Sequence, residues 1–275
     1  MMSKVVMKFF IYLFLSAFAI FFLMPFHITF FGSFKSFQEI FVNVFGLPQM
    51  WTYDNYVNVV DRIDFITAFR NSFIITIVSV AGVILISSMA AYRLARVNTR
   101  SHRVLYFIFI SSMVVPFPAI MLPLVSTIST LGLFNTHLGV ILSYLGLGTA
   151  FATVLYVGFL KTIPIEIEEA AVMDGCSTPR VFFTIVMPML KPTTATIVVL
   201  NMIWFWNDFL LPAILLTRGN MRTIPLAISF LFDQFHSRWD LAMAAVIMCI
   251  IPVIIVFLLF QKYIVSGIAA GAVKG

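Results

Sequence analysis

The sequence predicts an all-α membrane protein with six transmembrane helices. Three observations carry that expectation. Hydrophobic residues make up 61% of the chain and charged residues 10%, whereas soluble domains average about 25% charged. Several apolar runs reach the ~20 residues that cross a bilayer. The charges collect at the ends of those runs, so the net charge of +6 reads as topology and not as a nucleic-acid surface.

Residues 9–31 form the first apolar run, after Lys4 and Lys8. Ala17-Phe18-Ala19 resembles a cleavage site, but the run continues well past it, unlike a signal peptide, so span 1 is expected to be an uncleaved anchor. Residues 32–72 are mixed and aromatic, with a turn at Gly46-Leu47-Pro48. Trp51 to Tyr56 is expected near the membrane surface, where Trp and Tyr are favoured. Span 2 covers 73–92 and ends in the basic cluster Arg93, Arg96, Arg100, His102 and Arg103, whose arginines are read as topology anchors, with contact to acidic lipid or to another chain as the alternative. Span 3, about 104–127, contains Pro116, Pro118 and Pro123. Prolines free backbone carbonyls that hydrocarbon does not satisfy, so a broken or kinked helix is expected, with its irregular part on protein or a water path; the alternative is a kink that serves packing alone. Span 4, 138–160, carries Gly139, Gly146, Gly148 and Gly158, expected to allow close helix approach. Spans 5 and 6 are placed at 193–216 and 241–260.

Between spans 4 and 5 lies an ordered polar stretch, 164–192. Pro164 is expected to open a helix whose first turns hold Glu166, Glu168 and Glu169, where carboxylates suit the positive helix end. Asp174-Gly175 is a stop, because Gly adopts the left-handed conformation that ends helices. Ser177 or Thr178 then caps a second helix with Pro179 just inside it, and Pro188 and Pro192 close that piece.

Six spans put both termini on one side. Lys and Arg then divide as eleven on that side (4, 8, 93, 96, 100, 103, 161, 180, 191, 262, 274) and six on the other (35, 62, 70, 218, 222, 238). The positive-inside rule therefore places the termini and the 164–192 stretch in the cytoplasm. One membrane domain, 1–275, is expected, with the stretch at 161–192 as a loop within it.

Cys176 and Cys249 make no disulfide framework, and the four His are scattered without metal-ligand spacing. No metal, cofactor or catalytic residue is expected. No phosphate-binding Gly-x-x-x-x-Gly-Lys-Ser/Thr occurs, so if ATP drives this protein, another chain binds it.

Span 5 holds the sharpest polar signal: Asn201, Trp204, Trp206, Asn207 and Asp208. Trp faces stack on sugar rings while Asn and Asp bond hydroxyls, a pairing that suits a carbohydrate path. The competing reading leaves Asp208 as a hydrated or structural contact and the two Trp in the interfacial belt.

Glu169-Ala170-Ala171, three residues, Gly175, nine residues, Ile185, one residue, a hydrophobe and Pro188 resembles the EAA loop of ABC importer permeases, with Met187 where the family has Leu. Trp206 to Leu210 followed by Pro212, and the tail Ser266 to Gly275, resemble the smaller six-span permease of the maltose-importer group. The resemblance covers nearly the whole chain and implies the type I ABC importer (MetI-like) permease fold. It implies ATPase coupling through Glu169, Ala170, Ala171, Asp174, Gly175 and Pro188. It further implies ATPase contact by the tail residues Gly271, Ala272, Val273, Lys274 and Gly275. The implied partners are a larger homologous permease, two ATP-binding cassette subunits, an extracytoplasmic solute-binding protein, a carbohydrate, most simply an oligosaccharide, and the lipid bilayer, with no nucleic acid. The implied location is a bacterial or archaeal cytoplasmic membrane. A permease for an amino acid or polyamine, or a secondary transporter, are the alternatives; the second predicts ion-coupling acids mid-span, which the spans lack apart from Asp208.

Overall fold

The computed structural model describes residues 2–232 and 237–272. They form fourteen α-helical segments and two short turns, one π and one 3-10. Among the described residues four helices are long and apolar enough to cross a membrane. Two bent helix pairs raise the count to six if each pair is one span.

The chain divides into two compact units. The first takes residues 1–66 and 226–251. It contains α1 (Met2–Gly32), α2 (Phe37–Val42), α3 (Asp54–Arg62) and the first part of α14 (Trp239–Ala272). The side of α1 rich in Phe is exposed from Phe9 to Phe22, as expected of a helix that meets lipid or another subunit. Near its end α1 packs closely on α14: a Cβ on Gly32 would lie 2.3 Å from Met243 Sδ.

The segment after α1 has an unexpected core. Lys35, counted above as an outside charge, is fully buried. Its ammonium donates to the carbonyls of Asn43 (2.5 Å) and Gly46 (2.7 Å), closing the turn that Gly46-Leu47-Pro48 signals. Asn55 Nδ2 donates to the carbonyls of Ser33 and Lys35 at 2.9 and 2.8 Å. The Trp51–Tyr56 phrase is thus held by backbone groups that have no other use, which is how buried polar atoms avoid a desolvation cost.

The second unit takes residues 67–225 and 252–275. Helix α4 (Phe65–Arg96) starts eight residues before the expected span 2. The polar residues of its first turns are used inside the fold: Asn71 Nδ2 donates to the carbonyls of Asn220 and Arg222, and Ser72 Oγ accepts from Ile224 N–H. Span 3 is broken as its prolines require. Helices α5 (Arg100–Ser112) and α6 (Phe117–Thr130) meet at 107° across residues 113–116. Pro116 caps α6 and Pro118 sits in its first turn, where a missing N–H costs nothing.

Helix α7 (His137–Leu160) begins one residue before the expected boundary because Thr136 Oγ1 accepts from Gly139 N–H. It packs on α4 and on α11 (Lys191–Asn207). Of its four glycines Gly148 and Gly139 serve close approach between helices: a Cβ on Gly148 would lie 3.0 Å from Asn201 Oδ1 and Phe205 Cζ and 3.1 Å from Val83 Cγ2, and one on Gly139 would lie 3.0 Å from Ile128 Cγ2 of α6. Gly146 and Gly158 face open space, and Gly139 abuts the Leu133 carbonyl of its own preceding turn. Gly148→Val is therefore expected to destabilise the purified protein by about 1–3 kcal/mol through overpacking. Gly146→Val should leave the melting temperature in detergent near wild type.

The expected span 5 is shorter than its apolar run. The helix stops at Asn207, Asp208 is extended (ψ 124°), and a separate short helix α12 (Leu210–Leu215) follows. A 3-10 turn (Gly219–Met221) and α13 (Ile224–Ser229) follow. Span 6 lies at Trp239–Gln261, close to the expected bounds, within a helix α14 that runs on to Ala272.

Candidate coupling loop and solute path

The stretch between α7 and α11 folds as two helical pieces around a left-handed glycine. Helix α8 (Glu166–Met173) holds Glu166, Glu168 and Glu169 in its first turn. It opens at Ile165, whose carbonyl accepts from Glu168 and Glu169 N–H, and not at Pro164, which lies outside it. At its end Gly175 has φ +82°. Cys176 N–H bonds the Ala171 carbonyl at 3.0 Å and Gly175 N–H the Val172 carbonyl at 2.9 Å. That is the closing pattern a glycine in the left-handed region permits.

Ser177 precedes α9 (Thr178–Val181), with Pro179 in the first turn, though its hydroxyl makes no capping bond. The second piece then continues through a π turn (Phe182–Val186) into α10 (Met187–Met189). The cause lies in Pro188. It has no N–H to give, and its ring crowds the carbonyl four residues back, so the ladder slips and Met187 N–H reaches Phe182 O. The piece joins α11 at a bend of 74° instead of ending before it.

One acid of the three faces inward. Glu168 is buried, and its Oε1 lies 2.7 Å from Arg96 Nη2 and 2.8 Å from Arg96 Nε. Tyr92 OH donates to Glu168 Oε2 at 2.9 Å, and Arg96 Nη2 also donates to the Ile163 carbonyl. The Tyr92 ring packs on Phe182, 5.2 Å between centroids. The last turn of α4 thus grips both halves of the loop. A crevice of about 480 Å³ opens beside this grip, lined by Tyr92, Glu168, Glu169, Val172, Thr178 and Val181 among others.

The expected coupling residues divide by face. Glu169, Ala170, Asp174, Gly175 and Pro188 are exposed, while Ala171 is buried beneath them. Val172 and Met173 are exposed beside them, Met173 by 87%. The loop therefore presents a small apolar and acidic surface on a rigid base. The sequence reading missed Tyr92, Arg96 and Glu168. The signal available was spacing: Glu168 and Ala171 are three apart and share a helix face.

In span 5 the polar residues also divide. Asn201 is buried, with Nδ2 donating to the Ile197 carbonyl. Trp206 is 1% exposed and packs edge-on against Phe69. Asp208 is bonded within the fold: Oδ2 accepts from Tyr144 OH at 3.0 Å, and Oδ1 accepts from Leu210 N–H at 3.0 Å, at the start of α12. Trp204 and Asn207 are the two that remain exposed. Of the tail residues, Gly271 and Ala272 end α14; Val273, Lys274 and Gly275 lie outside the described residues. Cys176 is a free thiol.

Comparison with known proteins agrees with this geometry. Residues 82–270 match the family of binding-protein-dependent transport system inner membrane components. A probable starch degradation products transport system permease protein of Thermoanaerobacterium thermosulfurigenes is 41% identical over 91% of each chain. A multiple sugar-binding transport system permease protein of Streptococcus mutans is 37% identical over 96% of each. Among solved structures, a chain of a bacterial ABC transporter involved in the import of the acidic polysaccharide alginate superposes with a TM-score of 0.84. It is 27% identical, over 95% of this chain and 98% of that one. A second structure, of a bacterial alginate transporter with its periplasmic protein, shares the fold at a TM-score of 0.70 and 18% identity. The chain belongs to the family of binding-protein-dependent transport system inner membrane components, a permease component and not an enzyme.

Proposed function

We propose that this chain is the permease subunit that moves a carbohydrate, an oligosaccharide by preference, across the cytoplasmic membrane, and that the 161–192 loop carries the drive from ATPase subunits. The observation that carries the proposal is the grip of Arg96 and Tyr92 on Glu168, below an exposed surface of Glu169, Ala170, Val172 and Met173. A loop pinned to a spanning helix transmits displacement, whereas a flexible connector absorbs it. Docking of that surface in a cleft of an ATP-binding cassette subunit moves α8 when the ATPase pair closes, and α4 moves with it. Coupling requires the surface to bind one ATPase state better than the other.

A second, larger permease of the same family encloses the path with this chain, and a solute-binding protein delivers the sugar outside. The termini and the loop are cytoplasmic on the lysine and arginine count. The tail residues Gly271 to Gly275 contact the ATPase pair. On the path, Trp204 offers a ring face and Asn207 an amide to the sugar, while Asn201, Trp206 and Asp208 hold the helices that position them. The carbohydrate class rests on the relatives' substrates together with this pairing. Proteoliposomes holding the whole transporter and its binding protein are expected to accumulate a labelled oligosaccharide only with ATP inside. Accumulation of an amino acid or polyamine instead, or uptake by this chain without ATP, overturns the proposal.

A further inference from the structure

The basic cluster after α4 does not form one uniform charged surface. Arg96 is used by Glu168, and Arg93 and Arg100 are exposed. Arg103 and His102 instead line a cavity of about 380 Å³, together with Lys161. Its walls come from the last turn of α4, the first turns of α5 and the residue after α7. No acidic residue lines it, and neither Arg103 nor Lys161 takes part in the ion pairs found among the described residues. Thr99 Oγ1 lies 2.6 Å from His102 Nδ1 and caps α5, which orients the imidazole and leaves Nε2 for a ligand. The Lys161 ammonium stands 5.5 Å from the centre of the Tyr106 ring. Apart from Asn98 and Tyr106 the rest of the lining is apolar, with Phe107 and Val157 on its wall. From there α5 continues as a lipid-compatible surface of exposed Val104, Leu105, Phe107 and Ile108.

We infer that this cavity binds the phosphodiester of an anionic phospholipid. Arg103 and Lys161 take the phosphate charge, with the fork of the guanidinium suited to two oxygens at once. Two cations that bring no acid of their own into the cavity leave an anion as the group that completes it. The amphiphilic division decides the source. A free phosphate uses only the cationic rim, whereas a phospholipid also covers Phe107 and the apolar face of α5 with an acyl chain. The position fits: α4, α5 and α7 all meet here at their interfacial ends, where basic pockets between spanning helices hold lipid head groups. Because the cavity abuts the turn between α4 and α5, an occupied site also fixes the end of the helix that grips the coupling loop.

The test is native mass spectrometry of the whole transporter in neutral detergent, with phosphatidylglycerol and phosphatidylcholine of identical chains. Wild type is expected to retain phosphatidylglycerol about tenfold better. Arg103→Gln with Lys161→Gln should bring the two lipids within about twofold, while Arg103→Lys with Lys161→Arg keeps the preference. Arg93→Gln, at the same membrane end but outside the cavity, should also keep it. Equal retention by wild type, or a full preference in the double Gln variant, overturns the inference. So does an equal loss in Arg93→Gln, which would mean diffuse charge only, or displacement of the lipid by excess inorganic phosphate, which would assign the site to a soluble anion. If the double variant does not assemble, Lys161→Gln alone should lose about threefold, and an unchanged preference there is equally fatal.

Discussion

Arg96→Ala is expected to abolish ATP-driven uptake while the chain still inserts in the membrane. The substitution leaves the Glu168 carboxylate buried, with Tyr92 OH as its remaining side-chain partner. Breaking a buried ion pair in this way costs about 3–5 kcal/mol. A penalty of about 3 kcal/mol lowers the population of the docked loop roughly a hundredfold. Glu168→Ala strands the guanidinium instead, although Arg96 keeps its bond to the Ile163 carbonyl and has the shorter path to water, so the loss should be smaller. The double change Arg96→Leu with Glu168→Leu separates the two roles of the pair. Replacing both charges by apolar groups is close to neutral for stability. If the pair acts only by fixing the loop, the double variant recovers much of the uptake that either single change loses. Uptake and ATP hydrolysis, measured together in proteoliposomes, check this: the single variants should hydrolyse ATP without transport or lose the ATPase altogether.

Asp208→Leu is expected to be the most damaging single change in span 5. It removes the acceptor for Tyr144 OH, which is almost fully buried, and the acceptor for Leu210 N–H at the start of α12. An orphaned hydroxyl costs about 1–3 kcal/mol and a lost helix cap about 1 kcal/mol. Tyr144 also stacks on Phe205 at 4.3 Å, so its displacement disturbs the α7–α11 contact around Gly148. Asp208→Asn keeps one acceptor for Leu210 N–H and turns its amide N–H toward the Tyr144 hydroxyl, which can accept it, so it should retain most of the stability. Tyr144→Phe, which removes the donor and its need together, should be milder than Asp208→Leu. Thermal unfolding in detergent orders the three; an Asp208→Leu protein as stable as Asp208→Asn would show that the carboxylate serves the solute path and not the fold.

Residues whose role is set by backbone chemistry were legible in the sequence. Gly175 ends α8, and Pro116 and Pro118 break span 3, each for a local reason that needs no knowledge of neighbours. Residues whose role is set by what lies across the fold were not. Lys35 reads as an outside charge because a lysine after a span is nearly always a topology signal, yet three separated carbonyls converge on it. Arg96 reads the same way, since nothing in its own stretch announces an acid 72 residues later. In α8 the choice among three adjacent acids depends on which face turns toward α4, and only Glu168 does. Trp206 and Trp204 differ by two positions, about half a helical turn, which sends one into the core against Phe69 and leaves the other exposed. The π turn before Met187 likewise follows from Pro188 standing inside a helix that continues, where the sequence suggested an end.

The central claim is that the exposed face of α8 holds the ATPase. It is tested most directly by retention of the ATPase on membranes containing the partner permease, comparing wild type with Glu169→Lys, Gly175→Pro. Glu169 is exposed and Gly175 sits at φ +82° with open space around its Cα, so neither change touches the spanning core. Wild type should retain the ATPase, and the inserted variant should lose it. Equal retention by both would place the contact elsewhere on the chain and contradict the claim.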